Sequence, residues 1–374
     1  MKRPGVWQTV GVAGGVVGAA ATGVAVGAAA RRRRRAIALE RRRLATQLSG
    51  GATEPGTQPP GEASSVVADD GVRLSCETID PPDGRSALTV VLVHGFALDR
   101  RTWHFQRRTL AELTDPDVRV VLYDQRSHGR SERASRESCT IDQLGHDLAA
   151  VIRSLAPEGP LVLVGHSMGG MTIMALADQD PGLFAERVAG VALVSTSAGE
   201  IATAGLPAAL LSRHNPLTRG VGLLARLQPR LVDVVRGVAG DLIWSITRSF
   251  AYGDRNVAPW LVDLVDAMIS TNAVDALTDF VDTVGSHDRV AALPALTTCE
   301  LLVVAGEADR VIPFAHSERI AAELPAAEFV RIPGVGHLPM LEQPGRVDGA
   351  LVSLVERSAA RNPREDVRRL GRRA

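Results

Sequence analysis

The chain has only three cysteines in 374 residues, Cys76, Cys139 and Cys299. An odd number, widely separated, excludes a disulfide framework and gives no zinc-type spacing, so scattered buried thiols are expected, which fits a reducing compartment. No nucleotide-type phosphate loop and no metal-ligand spacing occurs, and no cofactor or metal is expected. Net charge is also missing, since 42 Lys and Arg balance 42 Asp and Glu. The balance is uneven: Lys2, Arg3, Arg31 to Arg35 and Arg41 to Arg43 face only Glu40 in residues 1–50, which leaves that segment at +9 and the remainder at −9. A folded part of that sign gives no support for nucleic-acid binding. The apolar fraction of 45% and charged fraction of 22% are ordinary for a globular protein, and the length allows one large domain with an insertion, or two domains.

Charge is absent again from Val10 to Ala30, 21 residues followed at once by five arginines. The length suits a bilayer crossing of about 20 residues. The composition, only Val, Ala, Gly and one Thr, is a weaker match, and a secretory signal or an Ala/Gly leader are the alternatives. Small residues at four-residue spacing, such as Gly11 with Gly15 and Gly23 with Gly27, would let two such helices self-associate. The reading favours an anchor over residues 1–35 that uses 10–30 to cross the membrane, and the positive-inside rule puts Arg31 onward in the cytoplasm. Residues 36–65 form a basic segment and then a Gly/Pro/Ser-rich linker, and residues 361–374 are a basic tail.

Between linker and tail, short β-like runs alternate with helical patterns. Strands are expected at 71–79, with a partner near Val66, and at 88–93, 118–123, 161–164, 188–194, 300–306 and 328–332. Helices are expected at 102–113, 141–155, 315–324 and 344–357. Strands alternating with helices imply an α/β fold with a mostly parallel central sheet flanked by helices. The alternation stops between 197 and 296, where helical patterns at 217–227, 231–249 and 260–268 indicate an inserted helical cap. The core is thereby split into residues 66–196 and 297–360. Ligands on such sheets bind beyond the carboxyl ends of the strands.

One of those ends carries the sharpest signal. Leu161-Val162-Leu163-Val164 runs into Gly165-His166-Ser167-Met168-Gly169 and then a helical pattern, the strand, sharp turn and helix of a nucleophile elbow. Gly165 and Gly169 let strand and helix pass closely, Ser167 is the candidate nucleophile, and the Met168 N–H at the helix start can donate to an oxyanion. A serine needs a base, and the base an orienting carboxylate. His337 follows the last strand in a glycine-rich loop and Asp309 follows the strand before it, with Glu307 as a substitute acid. Trp103 is a candidate pocket wall, with core packing as its alternative.

With these stretches the sequence resembles the α/β-hydrolase superfamily, in the capped subgroup of esterases, lipases and cofactor-free haloperoxidases, over roughly residues 66–358. The resemblance implies Ser167 as nucleophile, His337 as general base and then acid, and Asp309 as the residue holding His337. His94-Gly95-Phe96 matches the loop that supplies a second oxyanion donor, so the Phe96 N–H would join that of Met168. Asp124 to Ser131 resembles a structural loop of the family, and His94, His128 and His166 take structural readings. Relatives that open epoxides or remove halides use aspartate where Ser167 stands. The expected activity is hydrolysis of a carboxylic ester, small and lipid-like given the anchor. Perhydrolysis, thioester, amide or C–C cleavage by the same triad, and a non-catalytic membrane-tethered binding protein, are the alternatives.

Overall fold

The computed structural model describes Leu39 and residues 58–59, 61–200, 248–254 and 256–361. The expected anchor over 10–30, the cap helix at 217–227, all but the last two residues of the one at 231–249, and the tail after 361 lie outside the described residues. Among the described residues no helix is long and apolar enough to cross a membrane.

Eight strands form one sheet: β1 Glu62–Val67, β2 Arg73–Ile79, β3 Leu88–Val93, β4 Val118–Tyr123, β5 Leu161–His166, β6 Val188–Val194, β7 Glu300–Gly306 and β8 Glu328–Ile332. Their order across the sheet is β1-β2-β4-β3-β5-β6-β7-β8. Only the β1–β2 and β2–β4 pairs are antiparallel. From β4 to β8 every neighbour is parallel. β1 starts four residues inside the stretch that composition reads as linker. Its Glu-Ala-Ser-Ser-Val-Val sequence buries only Val66, so the strand exists through its edge pairing with β2 rather than through an apolar face.

The helices are α1 His104–Ala111, α2 Ile141–Leu155, α3 Met168–Gln179, α4 Pro181–Glu186, α5 Pro259–Thr271, α6 Val274–Gly285, α7 Leu293–Leu296, α8 Ala315–Glu323, α9 Pro339–Glu342 and α10 Pro344–Ala360. They cover both sheet faces. Val90 and Leu92 of β3 point into a core shared with Leu110 of α1, Val262 of α5 and Leu351 of α10. Val91 and Val93 point into the opposite core with Leu148 of α2, Ile173 of α3 and Ile320 of α8. Strands buried on both sides read as unbroken apolar runs, which is why their bounds show in the sequence. Each fully buried Val, Leu or Ile in these layers contributes roughly 1.5–3 kcal/mol.

α2 shows the local logic. Thr140 caps it by accepting from the Gln143 N–H at 3.1 Å, and Leu144, Leu148, Val151 and Ile152 recur at helical spacing on its buried face. α1 is preceded by a 3-10 turn, Arg100–Trp103, held by the Asp99 carboxylate on the Arg101 N–H. The loop after β4 is structural, as expected. Its fully buried Arg126 grips Asp147 with two contacts of 2.6 Å and reaches Asp70 of the β1–β2 turn at 2.7 Å. The three cysteines are buried free thiols, with burial pushing Cys76 up to about 12 and Cys299 up to about 11.

Candidate active site

Ser167 stands between the end of β5 and the start of α3 with φ 52° and ψ −118°, a conformation that a residue with a Cβ rarely adopts. The surrounding backbone holds it there. Its N–H donates to Val194 O at 2.9 Å, and its carbonyl accepts from Gly170 N at 2.9 Å and from the Thr196 hydroxyl at 2.7 Å. The flanking glycines are needed for space: a Cβ on Gly165 would lie 2.5 Å from Gly169 O, and one on Gly169 would collide with Val93 O. Strain of this kind, on the order of 1–3 kcal/mol, persists only where neighbours over-determine it.

His337 and Asp309 come together from the loops after β8 and β7. The His337 Nδ1–H donates to Asp309 Oδ2 at 2.8 Å, while Asp309 Oδ1 accepts from the Val311 and Ile312 N–H groups at 2.8 and 3.0 Å. The carboxylate is thus fixed, and Nδ1 carrying the proton leaves Nε2 to accept one. Glu307 turns outward to Arg331, at 3.2 Å. The His337 turn is tied to the elbow through His166, whose Nε2–H donates to His337 O at 2.9 Å with the rings 4.8 Å apart. Ser167, His337 and Asp309 are 7%, 6% and 8% exposed.

The loop expected to carry the second oxyanion donor presses on the elbow. A Cβ on Gly95 would sit 2.7 Å from His166 Nδ1 and 3.1 Å from Ser167 Cβ. Phe96 follows in a turn closed by Leu98 N to Gly95 O at 3.3 Å, and Met168 opens α3, where the first N–H groups have no partner within the helix. His94 braces this loop. Its Nε2 accepts from Gln125 N at 2.8 Å, so the proton is on Nδ1, which donates to Gly95 O at 2.8 Å. Burial pushes His94 below its ordinary range and His166 well below it, and takes His128 to about 3, so all three are neutral braces near neutrality. Gly95→Ala is expected to lower kcat about 10²-fold, the order lost with one oxyanion donor, with KM little changed; steady-state kinetics on an ester would check it, and an unchanged kcat would sink the idea.

Trp103 is fully buried in the core shared by α1, α5 and α10, with its indole nitrogen lacking a hydrogen-bond partner among the described residues. Thr196, and Glu342, whose carboxylate accepts from Gly253 and Gly336, carry no motif and show only in three dimensions, as does the link that His166 of the elbow motif makes to His337. A cleft of about 420 Å³ lies beside the His337 turn, lined by Phe105, Trp260, Val335 and Glu342 among others, and its lining includes neither Ser167 nor His337. Among the described residues no group of three His, Cys, Asp or Glu side chains could hold a metal ion.

Residues 90–350 match the Alpha/beta hydrolase family. The chain belongs to that family. The chain is similar in structure to an esterase from Thermogutta terrifontis at 27% identity, covering 80% of this chain and 99% of that one, with a TM-score of 0.61. A non-heme chloroperoxidase of Streptomyces lividans is 26% identical over 304 residues, 78% of this chain and 99% of the relative. The dihydrolipoyllysine-residue acetyltransferase component of an acetoin cleaving system from Pseudomonas putida is 26% identical over 276 residues, 73% of this chain and 65% of that longer protein. The α/β-hydrolase architecture, with its mostly parallel sheet flanked by helices, is therefore the one that the sequence implies, and the chain is a hydrolase of this superfamily.

Proposed function

We propose that the chain is a serine hydrolase that cleaves a carboxylic ester through an acyl-enzyme. The observation that carries this reading is a serine held at positive φ on a strand-to-helix turn, tied through His166 to a histidine that donates Nδ1–H to a buried aspartate. Ser167 Oγ attacks the ester carbonyl as His337 Nε2 takes its proton, and the Phe96 and Met168 N–H groups receive the oxyanion. His337 then protonates the leaving alcohol, and water attacks the acyl-enzyme with His337 again as base, which regenerates Ser167. Asp309 stabilises the imidazolium and fixes its tautomer. No metal or organic cofactor enters the scheme.

The apolar run over 10–30, followed by Arg31 to Arg35, supports a lipid-soluble ester met at a membrane surface, with the catalytic part on the cytoplasmic side. Likeness to an esterase supports the reaction class. The test is hydrolysis of p-nitrophenyl esters from acetyl to long acyl by the full chain in detergent. Turnover with an optimum at medium or long acyl is the expected result. No turnover of any ester, together with no labelling by a fluorophosphonate, would overturn the reading in favour of a binding role. A second reading, perhydrolysis, has the likeness to a non-heme chloroperoxidase behind it. In that reaction hydrogen peroxide replaces water on the acyl-enzyme and a peracid leaves. Peracid formed from acetate and hydrogen peroxide faster than the ester is hydrolysed would favour it.

A further inference from the structure

We infer that Glu342 is a positioning residue for the reaction proposed above: its carboxylate pins the 251–254 segment to the turn that carries His337 and so sets where the imidazole stands. The inference rests on the Ser167–His337–Asp309 reading. Between the end of β8 at Ile332 and the start of α9 at Pro339 the chain forms no helix or strand, so no regular hydrogen-bond ladder holds His337. Its position depends on individual contacts. Asp309 holds the ring and His166 holds the carbonyl, both by touching His337 itself. The His337 N–H donates to Ala251 O at 2.8 Å, which makes the 251–254 segment the third support.

Glu342 fixes that support. Its Oε1 accepts from Gly336 N at 2.7 Å and its Oε2 from Gly253 N at 2.8 Å, one oxygen on each side of the junction. The two backbones are in direct contact. A Cβ on Gly253 would lie 2.6 Å from Gly336 N, one on Gly336 would lie 2.5 Å from Gly253 N, and one on Gly306 at the end of β7 would collide with Gly336 O. Glycine at all three positions allows the approach, and the shared carboxylate holds it. Hydrogen bonds to an ionised acceptor are stronger than neutral ones, and a single side chain accepting two of them locks both peptides. Glutamine keeps one acceptor oxygen but must turn an NH₂ group toward one of the two donors. Aspartate keeps the charge but is one methylene too short to span the junction. Burial pushes the Glu342 carboxyl up to about 7, in keeping with a group that is enclosed at this junction.

The experiment compares full-length parent, Glu342→Gln and Glu342→Asp. It measures kcat and KM on the best p-nitrophenyl ester, thermal unfolding, and the downfield NMR resonance of the proton between His337 and Asp309. Both variants are expected to lose about 10- to 100-fold in kcat, as a misplacement of about 1 Å costs on the order of 10². KM should stay within about twofold, since both carboxylate oxygens are already engaged by the Gly253 and Gly336 N–H groups. The resonance should shift or exchange out in both. A merely structural role would lower the unfolding temperature but leave kcat per folded molecule and the resonance unchanged, and that result would overturn the inference. If Glu342→Gln does not fold, Glu342→Asp carries the same test. A parent without ester turnover would bring down the serine-hydrolase reading, whereas an active parent with equally active variants would bring down only the role of Glu342.

Discussion

Ser167→Ala is expected to lower kcat on any ester the chain turns over by about 10⁴- to 10⁶-fold, the loss that removal of a triad nucleophile produces. The residue must be the nucleophile for the effect to reach that size. A serine that only shaped the turn would be replaced by alanine at little cost, because alanine keeps the Cβ and the backbone bonds from Ser167 N to Val194 O and from Gly170 N to Ser167 O. Ser167→Gly separates catalysis from strain. Glycine adopts φ 52° without penalty, so this variant should be as inactive as Ser167→Ala yet melt higher, by an amount reflecting the order of 1 kcal/mol that positive φ costs an alanine or serine. Burst kinetics with p-nitrophenyl acetate and thermal melts of the three proteins would check both parts. Residual activity above one per cent in Ser167→Ala would remove Ser167 from the mechanism.

Acidification is expected to destabilise the fold steeply below pH 6.5. Burial holds His128 near 3 and His287 near 4, and pushes His94 and His166 below their ordinary 6.5. For a base whose folded pKa is depressed, the unfolded chain binds more protons in the window between the two values. Stability is therefore fully present above 6.5 and is lost as pH falls toward the folded values. Each such histidine contributes a slope of about 1.4 kcal/mol per pH unit, so His128 and His287 together withdraw on the order of 3–4 kcal/mol by pH 5, out of a typical 5–15. His94 and His166 steepen the slope further. Glu342 acts in the opposite sense, because burial raises it from 4.5 to about 7 and the folded chain keeps its proton there. Asp147 and Asp348, also raised by burial, act in the same opposing sense. Six histidines, since burial lowers His104 and His316 as well, against three raised carboxyls leave net proton uptake on unfolding between pH 5 and 6.5. Urea titrations at several pH values would measure it, and an unfolding free energy that stays flat from pH 7.5 to 5 would show these imidazoles to be solvated.

Much of this was legible in the residues alone, for a physical reason. β3, β4, β6 and β7 coincide with the apolar runs expected at 88–93, 118–123, 188–194 and 300–306, because a strand covered on both faces has few places for a polar residue. Gly165-x-Ser167-x-Gly169 stood out because the steric demands of the turn are local. The insertion of β4 between β2 and β3 was not legible, since crossover order depends on packing that no single segment encodes. β1 showed only at its Val66 end, as the expected partner of β2, and its first residues read as linker because an edge strand with one buried side chain has almost no apolar pattern. Thr196 and Glu342 were missed for a related reason: Thr196 acts on a backbone group 29 residues away, and Glu342 joins one 6 residues away to one 89 residues away, a pairing that only the fold creates.

The three supports of the chemistry are unequally placed along the sheet. β5, which carries Ser167, pairs in the middle, whereas β7 and β8, which deliver Asp309 and His337, are added last at one edge. Synthesis from the N-terminus therefore produces Ser167 long before His337. A ribosome-bound chain that has folded through β6 would have the elbow assembled and no imidazole to activate it. On the serine-hydrolase reading proposed above, reactivity toward esters would wait until the final strand zips onto its neighbour, and the order of translation would keep an unfinished molecule from acylating.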